Sequence, residues 1–137
     1  MAKILLVDDD PLLVRMYQKK FENDGYIVAI AGNGVDALKQ VADFQPDLIL
    51  MDIMMPKMNG LEVLTKLKDN KQTSAIPVIL LTNVSSSQED TDRGLELGAI
   101  AYIVKAGNKP KVVVEKVKEV LAGYVREIPR VKDTISE

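Results

Sequence analysis

Five short apolar runs, each leading into a longer segment of helical period, organise the chain. They are Lys3–Val7, Tyr26–Ala31, Asp47–Met51, Pro77–Leu81 and Ala99–Val104. Four are continuous blocks without the polar alternation of a half-solvated strand, so both faces of each strand need cover. That pattern predicts a parallel sheet between two helix layers. The second run, Tyr-Ile-Val-Ala-Ile-Ala, is weaker and is expected nearer a sheet edge.

Helix punctuation fills the intervals. Asp10 before Pro11 reads as an N-cap followed by a first-turn proline, and Leu13, Tyr17 and Phe21 then recur every four residues up to Gly25. Asn33 caps a second helix whose apolar face is Ala37, Leu38, Val41 and Phe44, stopped by Pro46. Asn59 with Glu62 three residues on predicts a capping box for a third, carrying Leu61, Leu64 and Leu67. Ser85–Ser87 opens a fourth that Gly98 closes. A fifth starts at Pro110 and repeats Val113, Val117, Val120 or Leu121, and Tyr124. The fourth is mostly polar and contains Gly94, which costs a helix interior about 1 kcal/mol relative to Ala. It is expected to be the least firmly docked.

These β-α units predict an α/β, doubly wound, five-stranded parallel sheet with five helices. Ligands of such folds bind outside the carboxyl ends of the strands, at a topological switch point. At 137 residues the chain suits one domain. Residues 1–125 are assigned to it, and 126–137 to a short tail with no output domain. No apolar run exceeds six residues, against the roughly 20 a membrane helix needs, and the start lacks signal-peptide anatomy. A cytoplasmic location without a membrane partner is therefore expected. Lys plus Arg is 18 and Asp plus Glu 20, a net charge of −2 that offers no basic stripe to nucleic acid. The chain has no Cys and no His, which removes thiolate chemistry, imidazole acid–base work and most zinc sites.

Chemistry must then come from Asp, Glu, Lys, Ser and Thr. Strand one ends in Asp8-Asp9-Asp10, strand three in Asp52, strand four in Thr82-Asn83 and strand five in Lys105. Taken singly, Asp10 is a cap, Asp8 or Asp9 a solvated strand end, Thr82 a strand residue and Lys105 a surface charge. Asp52 resists that treatment, because it follows the buried run Leu48–Met51 and a lone acid there is costly. Asp8, Asp9 and Asp52 together carry −3, which a divalent cation and Lys105 bring to zero. Oxygen ligands alone suit Mg²⁺. A metal beside a carboxylate, with a lysine and a hydroxyl opposite, is also a phosphoryl-transfer arrangement, in which the carboxylate attacks in line.

The stretch Ile4-Leu5-Leu6-Val7-Asp8-Asp9-Asp10, then Pro46 through Asp52-Ile53-Met54-Met55-Pro56-Lys57-Met58-Asn59-Gly60, then Thr82, then Tyr102-Ile103-Val104-Lys105, resembles the receiver domain of bacterial two-component response regulators. The resemblance runs from Lys3 to about Tyr124. It implies a flavodoxin-like sheet of order 2-1-3-4-5. It makes Asp52 the phosphoacceptor and Asp9 and Asp52 direct Mg²⁺ ligands, with Asp8 acting through water and the Met54 carbonyl completing the protein's share. Lys105 would contact the phosphoryl group, Thr82 would hydrogen-bond it and move, and Tyr102 would swing inward on activation. The sequence departs from the family in two places: Ala106-Gly107 follows the lysine where proline is usual, and Asn83 follows the threonine where a small residue is usual.

The implied function is a stand-alone response regulator that catalyses only its own phosphorylation and dephosphorylation. Its partners would be a sensor histidine kinase or histidine phosphotransfer protein, a downstream protein target and a phosphatase. With no His in the chain, the phosphohistidine donor is another protein. Two alternatives compete with this reading. An aspartyl-phosphate phosphohydrolase needs a second carboxylate two residues after its nucleophile, where this chain has Met54. A receiver-like interaction module that is never phosphorylated has no need of Asp9, Asp52, Thr82 and Lys105 together.

Overall fold

A computed structural model of the chain describes residues 2–82, 88–105 and 110–123. In chain order the elements are β1 (Lys3–Val7), α1 (Pro11–Asn23), β2 (Ile27–Ala31), α2 (Gly34–Phe44), β3 (Leu48–Asp52), α3 (Gly60–Asp69), β4 (Val78–Thr82), α4 (Gln88–Glu96), β5 (Ala101–Val104) and α5 (Pro110–Leu121). The strands form one parallel sheet of order β2-β1-β3-β4-β5. Because β3 joins β1 on the side away from β2, the winding reverses between β1 and β3. The carboxyl ends of those two strands therefore flank the switch crevice.

Alternation along each strand divides the core into two layers. Ile4, Leu6, Leu48, Leu50, Ile79, Leu81, Ala101 and Ile103 face α1 and α5, where Tyr17, Phe21, Val113, Val117 and Val120 cover them. Leu5, Val7, Ile49, Met51, Val78, Leu80 and Tyr102 face α2 and α3, against Ala37, Val41, Val63, Leu64 and Leu67. β3 and β4 are buried throughout, which explains their unbroken apolar blocks, and β2 is the most exposed strand, as expected of an edge. β5 is also an edge yet is almost fully buried.

The caps sit where the sequence puts them. Asp10 accepts from Leu12 N at 3.0 Å and Leu13 N at 3.3 Å. Asn33 accepts from Asp36 N at 2.9 Å. Asn59 and Glu62 form the reciprocal box, at 3.0 and 3.2 Å. Asp52 and Thr82 close β3 and β4, one residue beyond the apolar runs and where the sequence reading ends those strands, whereas β5 begins at Ala101, two residues inside its run. The serines expected to open α4, and Tyr124, lie outside the described residues. In α4 the buried residues are the small Thr91 and Gly94, with Leu95 and Leu97 partly covered. Gly94 has a reason to be there. A Cβ on it would overlap the Leu80 side chain and lie 3.4 Å from Leu61, so its absence lets α4 sit close on β4.

Candidate functional site

Val7 pairs with Met51, so Asp8 and Asp52 emerge side by side from adjacent strands. Each carboxylate is 3% exposed and uses its two oxygens in the same way. Asp8 Oδ1 accepts the Asp10 N–H at 3.0 Å and Asp52 Oδ1 the Met54 N–H at 3.1 Å, a turn each acid makes with the backbone two residues on. Their Oδ2 atoms face the ammonium of Lys105, 2.8 Å from Asp8 and 3.0 Å from Asp52. Lys105 follows β5, so its side chain reaches across the end of β4 to lie between the two acids. It is one-fifth exposed rather than a surface charge.

Burial pushes the Asp52 carboxyl above its ordinary range, and the Asp8 charge adds to the rise against the opposing pull of Lys105 and the Met54 N–H. Burial alone would lower the Lys105 pKa, but the adjacent Asp8 and Asp52 carboxylates outweigh it and hold the ammonium's pKa above normal. Tyr17, on α1, also feels this site. Burial is the main reason its phenol is raised, with Lys105 pulling it down and Asp8 pushing it up.

The donor set fits a hard divalent cation. Oxygens of Asp8, Asp9 and Asp52 lie within 4.8 Å of one another, with Asp9 exposed toward solvent. Asp8 Oδ2 is buried and accepts no well-aligned hydrogen bond, its 2.8 Å approach to Lys105 being an ion pair only. A buried anionic oxygen with spare capacity, in a cluster of three carboxylates against one ammonium, calls for further positive charge. Oxygen ligands of this kind are those of Mg²⁺.

Thr82 stands on the same rim, 2% exposed, with its carbonyl accepting the Lys105 N–H at 2.6 Å. Alternation puts Thr82 on the α4 side of the sheet and Asp52 on the α1–α5 side. Tyr102 is 8% exposed and packs in the α4-side layer, its strand partner being Leu80. Met54 is 53% exposed in the loop after β3. Asn83, Val84, Ala106 and Gly107 lie outside the described residues. The sequence reading did not anticipate the backbone bracing of Asp8 and Asp52, although an acid two residues before a turn is its usual signal. It also did not anticipate Asp8 as the nearer partner of Lys105.

The chain matches the response regulator receiver domain over residues 4–118. It belongs to that family. Among curated relatives, the DNA-binding response regulator MtrA of Mycolicibacterium smegmatis is 39% identical over 116 residues, covering 85% of this chain and 49% of that one. The alkaline phosphatase synthesis transcriptional regulatory protein PhoP of Bacillus subtilis is 40% identical over 121 residues, covering 87% and 48%. This receiver thus spans about half the length of those relatives. Among solved structures, the chemotaxis response regulator CheY4 of Vibrio cholerae shares 30% identity at a TM-score of 0.79, covering 88% of this chain and 98% of that one. The receiver domain of a signal transduction histidine kinase from Syntrophus aciditrophicus shares 34% identity at a TM-score of 0.81, covering 96% of each. Five parallel strands in the order 2-1-3-4-5 with five helices make this the flavodoxin-like receiver fold. Among the described residues no helix is long and apolar enough to cross a membrane.

Proposed function

We propose that this receiver accepts a phosphoryl group from a phosphohistidine of a sensor histidine kinase or histidine phosphotransfer protein onto Asp52, with Mg²⁺, and signals by phosphorylation-dependent contact with a protein target. The observation that carries this reading is the cluster itself: a buried Asp52 braced by the Met54 N–H and Lys105, with Asp8 and Asp9 oxygens within 4.8 Å. A carboxylate oxygen of Asp52 attacks phosphorus in line as the phosphorus–nitrogen bond of the donor breaks, and the imidazole nitrogen keeps the electron pair. Lys105 moves from neutralising Asp52 to neutralising a phosphoryl oxygen, a short step for an ammonium already 3.0 Å from the nucleophile. Asp9, Asp52 and the Met54 carbonyl, together with Asp8, would hold Mg²⁺, which would supply positive charge where negative charge gathers.

Phosphorylation replaces one carboxylate charge by about −2 at pH 7. The added oxygens call for a donor, and the Thr82 hydroxyl on the neighbouring strand supplies it. Movement of Thr82 is read by Tyr102, which shares its layer. Contact with a protein rather than nucleic acid is the reading for this chain, supported by its net charge of −2. Incubation with acetyl phosphate and Mg²⁺ should add one phosphoryl mass to the wild type and none to Asp52→Asn. An unmodified, folded, Mg²⁺-loaded wild type would overturn the reading and leave a receiver-like interaction module.

A further inference from the structure

We infer that Gly34, the first residue of α2, is a positioning residue for the loop that carries the metal-binding end of β3, so that Mg²⁺ affinity is set partly from α2. The inference rests on the reading of Asp52 and Met54 as metal-holding residues. The loop from Ile53 to Asn59 is closed on itself: Gly60 N donates to Ile53 O at 2.8 Å, and a Cβ on Gly60 would lie 2.5 Å from the Asp52 carbonyl oxygen. Within it Lys57 has φ 68°, and Met58 N donates back to Pro56 O at 2.8 Å. A non-glycine residue in that region is uncommon and needs its surroundings to hold it there.

Gly34 helps hold it. A Cβ on Gly34 would overlap the Met58 carbonyl oxygen, lie 2.7 Å from Met58 Cβ and 2.8 Å from Val63 Cγ2. The first of these is backbone, which cannot rotate away, and Val63 is fully buried on α3. A methyl group at position 34 therefore pushes the loop, not a free side chain. The loop is pinned at Gly60 and short, so displacement at Met58 is passed back toward Met54, whose N–H braces Asp52 Oδ1. Groups that orient metal ligands without touching the metal typically change affinity by about 10–100-fold when altered.

The test is a Mg²⁺ titration by calorimetry on the wild type, Gly34→Ala and Val41→Ala. Val41 is buried toward the other end of the same helix, so its truncation loosens α2 without touching the loop. Gly34→Ala should weaken Mg²⁺ binding about tenfold, while Val41→Ala lowers the melting temperature and leaves Mg²⁺ affinity unchanged. Acetyl phosphate labelling of Gly34→Ala should recover at saturating Mg²⁺. Should Gly34→Ala not fold, Met58→Gly reads the same seat from the loop side and should also weaken Mg²⁺. A wild type that binds no Mg²⁺ would overturn the proposed function itself. A wild type that binds, with Gly34→Ala or the substituted Met58 binding equally well, would overturn only the role of Gly34.

Discussion

Replacing Asp52 by Asn removes the charge on which the proposed chemistry depends, yet should make the Mg²⁺-free protein more stable. The carboxylate sits 3.0 Å from Lys105 Nζ, and oxygens of Asp8 and Asp9 lie within 4.8 Å of it. At an effective dielectric of about 20, the attraction is worth about 5.5 kcal/mol and each repulsion about 3.5 kcal/mol. With Asp9 exposed and its repulsion largely screened, repulsion and attraction come close to cancelling, and the burial of Asp52, the largest cause of its raised pKa, leaves the charge a net cost. An Asn Oδ1 still accepts the Met54 N–H, and Lys105 keeps Asp8. The raised pKa of Asp52 has the same sign. A carboxyl whose folded pKa lies above its unfolded value contributes stability when protonated and loses it as pH rises through that folded value. At neutral pH its charge is a net burden. Asp52→Asn should therefore gain about 1 kcal/mol in EDTA, or about 3–5 °C in melting temperature for a chain of this size. Millimolar Mg²⁺ should reverse the order, because only the wild type keeps the full ligand set, and saturation at a hundredfold above Kd stabilises by about 2.7 kcal/mol. Thermal unfolding followed by circular dichroism with and without Mg²⁺ measures both arms. A mutant less stable than wild type in EDTA would show that the Lys105 attraction outweighs the repulsion, and the electrostatic argument would fail.

Asp9→Ala should abolish both the Mg²⁺-dependent rise in melting temperature and phosphoryl uptake; retention of either would remove Asp9 from the ligand set. Hydrogen exchange on binding a beryllofluoride phosphate mimic should change most in the segment from Gln88 to Leu97, whereas a larger change in α1 would refute the coupling through Thr82. The phosphorylated state should be long-lived, because Met54, and Val84 two residues after Thr82, offer no polar group to orient a hydrolytic water. Met54→Asn combined with Val84→Glu should shorten the half-life about tenfold, and an unchanged half-life would acquit both positions.

The strands, the helix caps and the acid–lysine set were readable because each rests on local chemistry, whereas the strand order came from the family resemblance alone. A buried strand must be apolar on both faces, and a cap must offer an oxygen to free N–H groups. Other features depend on what meets in space. Gly94 looks like a helix fault in one dimension and is a close seat on Leu80 in three. β5 is an edge strand that keeps a core composition because helix-borne side chains cover both its faces. Which acid lies nearest Lys105 depends on side-chain reach across β4, something spacing along the chain does not encode. Tyr17 reads as one more member of an apolar stripe, although its phenol, raised mainly by burial, also responds to the charges of Lys105 and Asp8.

The alternation that divides the core also divides the workload of the rim. Asp52 projects on the α1–α5 side, while Thr82 and Tyr102 belong to the side that α4 covers. If Asp52 is the phosphoacceptor proposed above, the sheet stands between the reacting carboxylate and the layer that would report it, with Thr82 the link between the two. Substitutions that retune which protein listens can accumulate on one side while the charge balance on the other stays untouched, and a lineage can change its conversation without relearning its chemistry.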